Sequence, residues 1–121
     1  MTLFEAQDHL EQEIGSRLPD TWLQDNLVNK PGSFPCVVIE PDGSRLMEHG
    51  GGCGYTGEQD FVIWVICAFS GSFRESRERM IEMLDSMLDI PRFFASERVE
   101  YGVDVVWDTR CVLAKIAGKV A

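Results

Sequence analysis

The sequence predicts an α+β domain: a mostly antiparallel β-sheet of four to five strands, with an N-terminal helix and one long helix between strands packed on it. Three features carry that prediction. Residues 3–18 and 73–88 place apolar side chains at helical spacing behind Ser/Thr-x-x-Glu capping patterns. "EQDFVIWVICAFS", 58–70, is a long strand that is apolar on both alternating faces. The strand-like runs are joined by short links, which favour antiparallel neighbours.

The first helix opens at Thr2, with Glu5 three residues on, and carries Leu3, Ala6, Leu10, Ile14 and Leu18 along one side before Pro19 stops it. In "PDTWLQDNLVNKPGS" the residues Trp22, Leu23 and Leu27 span one helical turn and Pro31-Gly32-Ser33 marks a turn, so a short helix or an irregular crossing is expected. "FPCVVIE", 34–40, is a β-branched strand. The "PDGS" after it has the proline and glycine of a tight turn, from which Ser44 to Met47 returns as a short strand. The central strand follows a glycine-rich loop and has two faces, one of Phe61, Ile63, Val65, Cys67 and Phe69, the other of Val62, Trp64, Ile66 and Ala68. Ser72 and Glu75 open the second helix, which is lined by Phe73, Met80, Ile81, Leu84, Met87 and Leu88, pairs Arg74 with Glu78 on another side, and ends by Pro91. "ERVEYGVDVVWDTRCVLAKIAG" then alternates as two strands or one long bent one, with Asp108-Thr109 as the turn.

A chain of 121 residues, 45% hydrophobic and 26% charged, without repeats or low-complexity tracts, is expected to form one domain over 1–121. Its acidic start does not have the pattern of a secretory signal, and the longest apolar run, Phe61 to Phe69, is too short to cross a bilayer as a helix. A soluble, cytosolic protein is expected. Cys36, Cys53, Cys67 and Cys111 are widely spaced, and three of them lie in apolar strand-like runs, the pattern of reduced, buried thiols. A net charge of −9 and the lack of a basic stripe argue against general nucleic-acid binding. The charge is uneven: residues 1–70 carry 3 Lys/Arg against 11 Asp/Glu, and residues 71–121 carry 8 against 9. The acidic part serves solubility or meets a basic partner.

"MEHGGGCGYTGEQDF", 47–61, is where site chemistry would be sought. It has no Gly-Lys-Ser/Thr and runs into a strand where a phosphate cradle needs a helix N-terminus. His49 and Cys53 are two ligands where structural zinc takes four. They are also the only local base and thiol for a cysteine nucleophile, in a setting poor at holding that geometry. No Gly-x-Ser-x-Gly elbow and no calcium loop occur. Neither a catalytic residue nor a cofactor or metal site is expected. The loop is expected instead to be a flexible hairpin that orders when partners close around it, with Tyr55 as an amphipathic anchor and Glu58 as a charge at the strand entrance.

The second face of the central strand is as apolar as the first, so something must cover it. Either residues 19–33 fold across it or another subunit does. Val62, Trp64 and Ile66 are the candidate contact residues.

An N-terminal helix, the "PGSFPCVVIEPDG" strand, a glycine-rich loop, "QDFVIWVICAFSGS", the helix "FRESRERMIEMLDSMLD" and the closing "VEYGVDVVWDTRCVLAKIAG" together resemble the tail-terminator and tail-completion proteins of long-tailed bacteriophages and prophages. The resemblance spans nearly the whole chain and lies in order and texture. It implies a non-enzymatic structural subunit without a cofactor that forms a ring, often a hexamer, at the head-proximal end of the tail tube. Its partners would be copies of itself, the tail tube and the head connector, and its place the cytoplasm during assembly and then the virion. The longer "NLVNKPGS" segment and stronger acidic bias leave room for a related neck subunit. An acidic secretion-type effector chaperone, a dimer with a final helix, is the alternative, and a small cysteine-dependent enzyme comes third. A strand after Asp108 speaks against the chaperone.

Overall fold

The computed structural model describes residues 2–44, 59–87 and 95–120. Both helices start as their capping patterns require. α1 (Leu3–Arg17) begins at Thr2, whose hydroxyl accepts from the Glu5 N–H at 3.3 Å and donates to the Glu5 carboxylate at 3.0 Å. α2 (Phe73–Met87) begins at Ser72, whose Oγ accepts from the Glu75 N–H at 3.1 Å. Ala6, Leu10 and Ile14 of α1 and Met80, Leu84 and Met87 of α2 are buried. Phe73, which the spacing aligns with them, is 40% exposed because it stands at the first helical position and packs against Phe69 at the rim of the sheet.

Five strands form one sheet: β1 (Trp22–Gln24), β2 (Cys36–Ser44), β3 (Gln59–Ala68), β4 (Ala95–Val106) and β5 (Thr109–Val120). Their spatial order is β1-β2-β3-β5-β4, with β1 parallel to β2 and every other pair antiparallel. The class is α+β with a mixed, mostly antiparallel sheet. β3 lies between β2 and β5, and α1 and α2 pack on one face over β2, β3 and β5. The main core forms there, from Ala6, Leu10, Ile14, Val37, Ile39, Phe61, Ile63, Val65, Met80, Leu84, Ala114 and Ile116 among others. Gln7, only 8% exposed, ties the layers by donating from Nε2 to the Ile39 carbonyl at 2.9 Å.

Three local expectations need correction. The stretch after Pro19 is an irregular crossing and not a short helix, and it also holds an unexpected strand, because Trp22 to Gln24 pair in register with Cys36 to Val38 and the Trp22 N–H donates to the Pro35 carbonyl at 3.2 Å. Leu23 thereby reaches the helix-side core, while Leu27, which helical spacing put beside it, packs on the opposite face. Second, "PDG" is not a turn: β2 continues through it with an irregularity between Pro41 and Gly43, and Ser44 still pairs with Gln59. A proline is tolerated there because β1 pairs only as far as Val38, leaving that side of β2 open. The return strand expected at Ser44–Met47 otherwise lies outside the described residues. Third, the last hairpin turns at Trp107-Asp108, one residue earlier than expected, with φ of 45° and 65°. Two left-handed residues make a two-residue turn whose twist matches the strands, and Val106 then pairs with Thr109.

Candidate interaction surface

The second face of the sheet is closed in part by the chain itself. Cys36, Val38, Ile66 and Cys111 form a buried cluster there, and Leu27 and Phe34 pack onto it together with Trp64, Val106 and Leu113. The crossing that brings Leu27 and Phe34 over the sheet is held by polar side chains. Gln24 Nε2 donates to the carbonyls of Asn26 and Asn29, both at 2.8 Å, and Asn26 Oδ1 accepts from the N–H groups of Val28 and Asn29 at 3.0 and 2.9 Å. Gly32 lies so close to the Trp22 ring that a β-carbon there would meet it at 2.6 Å. Intrachain cover by the stretch after Pro19 is thus a property of the fold.

Among the candidate contact residues, Ile66 at 1% and Val62 at 8% exposure are buried within the subunit. Trp64 retains surface. Its ring lies beside Lys115, whose Nζ is 5.3 Å from the centroid, and its Nε1 is buried without a hydrogen-bond partner among the described residues. Tyr55 and Glu58 lie outside the described residues, as do His49, Cys53 and the rest of the glycine-rich loop up to Gln59.

The three described cysteines are free thiols buried in strands. Burial pushes Cys36 from the usual 9.0 up to about 12, with the neighbouring Cys111 and Cys67 adding to the rise. Burial likewise raises Cys67 to about 11 against the lowering effect of Arg79, and raises Cys111 against a backbone hydrogen bond. Protonated at neutral pH, these thiols are packing groups and lack the thiolate that nucleophilic chemistry needs. A cavity of about 550 Å³ opens where β3 meets α2, between Leu18, Phe34, Pro35, Cys67 and Met83, with Arg79 and Glu82 also lining it. The Arg79 guanidinium donates to the Ser70 carbonyl at 2.6 Å, and the Cys67 sulfur approaches Met83 Sδ at 3.4 Å. Among the described residues no three His, Cys, Asp or Glu side chains gather where they would hold a metal, and no helix is long and apolar enough to cross a membrane.

A surface that periodicity did not single out lies along β4. Val99 pairs with Ile116 and packs on the helix-side core, so Tyr101, Val103 and Val105, opposite Ala114, Val112 and Arg110, share that face. They are 55%, 54% and 60% exposed. Among the described residues neither helix makes more than marginal contact with β4, and its outer edge pairs with no strand. The row continues to Phe69, whose N–H donates to the Arg110 carbonyl at 2.7 Å, and to Phe73, 6.4 Å from Phe69. The Arg110 and Arg77 guanidinium groups lie over the Phe69 and Phe73 rings at 5.9 and 4.5 Å. The alternation of "YGVDVV" was the available signal. It fixed which residues share a face but not that the helices stop short of it.

The chain matches no family model, and no curated protein matches it in sequence.

Proposed function

We propose that the protein is a structural subunit of phage or prophage tail assembly, a tail terminator or neck component that forms a ring, caps the tail tube and joins it to the head. The observation that carries the reading is the apolar row along β4, whose outer edge has no strand partner among the described residues. A long strand edge with exposed valines invites pairing, and soluble domains usually blunt or cover such edges. A subunit that spends its working life between neighbours has a use for one. The order α1, β1, β2, β3, α2, β4, β5 supports the reading, β1 being an addition to the layout that the resemblance implies. The chaperone alternative calls for a helix after Asp108, where β5 runs.

No cofactor enters this reading, and its partners are further copies, the tail tube and the head connector. The test is complementation: in an induced phage lysate lacking the protein, tubes overrun their length and heads stay unattached, and adding the purified protein restores joined particles. Normal virions formed in its absence would refute the role.

A further inference from the structure

We infer that the Tyr101–Val103–Val105 row is the docking site for a second copy of the chain, which places the outward, acidic face of its α1 over the row. This rests on the assembly reading above only in taking the occupant to be another subunit. Two helices about 10 Å apart cover roughly four strands spaced ~4.8 Å, and here β4 is the fifth. Among the described residues the helix layer thus stops one strand short, leaving a helix-sized place between α2 and the outer edge of β4.

The charge at that place selects the helix. Arg110, opposite Val105, lies over the Phe69 ring and Arg77 over the adjoining Phe73 ring, so both cations stand at one end of the row. α1 buries Ala6, Leu10 and Ile14 in its own subunit and turns Phe4, Glu5 and Asp8 outward. Phe4 is 77% exposed, an apolar anchor within an acidic turn. α2 offers a poorer match, because its exposed side carries Arg74, Arg77 and Arg79 as well as acids. A contact between α1 of one copy and β4 of the next uses different surfaces on the two partners, so it is heterologous and generates a ring when the rotation closes.

Sedimentation of the full chain over micromolar to millimolar concentration, with and without tail tubes, tests this. Val103→Asp, Arg110→Glu and Asp8→Arg should each raise the half-assembly concentration by at least about tenfold, the scale of losing one good interface contact. Combining Asp8→Arg with Arg110→Glu should bring it back to within about threefold of the wild type, since the pair restores opposite charge. Each site is exposed, so unchanged circular dichroism and melting establish that the variants fold. A wild type that stays monomeric under all conditions overturns the inference, as do single variants that assemble normally or a double variant no better than the worse single. Loss of assembly in Val103→Asp with Asp8→Arg unaffected also overturns it, pointing to symmetric β4–β4 pairing. Normal assembly behaviour in a protein that fails complementation would sink the tail role and leave the interface standing.

Discussion

Lys115 stands directly opposite Trp64 in the β3–β5 register and holds its ammonium 5.3 Å from the indole centroid. The cation thus lies against the ring of a residue whose own N–H is buried without a partner among the described residues. Trp64 contributes as an apolar and π surface and not as a hydrogen-bond donor. Trp64→Phe should therefore change stability by less than about 1 kcal/mol, because it removes an unsatisfied donor along with some area. Trp64→Ala should cost about 2–3 kcal/mol, below the ~3–5 of a fully buried tryptophan. Urea melts of the two variants decide this, and a Phe variant as damaged as the Ala variant would show that the indole N–H has a partner.

Gln7 is the polar link between α1 and the sheet. With β1 pairing only as far as Val38, the next carbonyl along β2 is that of Ile39, and Gln7 Nε2 supplies its donor. Gln7→Leu keeps the volume and leaves that carbonyl unpaired, at a cost of about 1–3 kcal/mol. Chemical denaturation measures it. A neutral Leu substitution would mean that the carbonyl finds another donor.

Asp108 sits at φ 65° in the β4–β5 turn. Aspartate enters the left-handed region more readily than most L-residues, but its β-carbon still carries a steric cost there that glycine does not incur. Glycine gains flexibility in the unfolded chain, which offsets part of this, so Asp108→Gly should stabilise by roughly 0.5–1 kcal/mol. Thermal melting should show the gain, and a fall in melting temperature would place the Asp108 side chain in a stabilising contact.

The buried thiols set an alkaline limit. Cys36 and Cys67 have folded values of about 12 and about 11 against an ordinary 9.0, so folding favours their protonated forms. Their contribution is fully present below pH 9 and is lost as pH rises from there through the folded values, because the unfolded chain releases those protons first. Stability should fall progressively above pH 9 in a Cys53→Ser background, and less steeply when Cys36→Ala is added. A thiol reagent at neutral pH should label these cysteines only on unfolding. Fast native labelling would contradict their burial.

The buried side of each long element was legible from periodicity. A helix repeats every 3.6 residues and a strand every two, so α1's Ala6, Leu10 and Ile14 and β3's two faces could be assigned before any partner was known. The capping residues Thr2 and Ser72 were equally readable, because a helix start is satisfied within one turn. β1 was not, since a three-residue strand has no period of its own and exists only through pairing with Cys36 to Val38. The bulged course of β2 through Pro41 and the turn at Trp107-Asp108 depended on register, which the facing strand sets. For the site the division is similar. The apolar second face of β3 was visible in the sequence, but its closure by Leu27 and Phe34 and the row on β4 left exposed among the described residues follow from where the crossing and the two helices come to rest, a matter of distances between elements far apart in the chain.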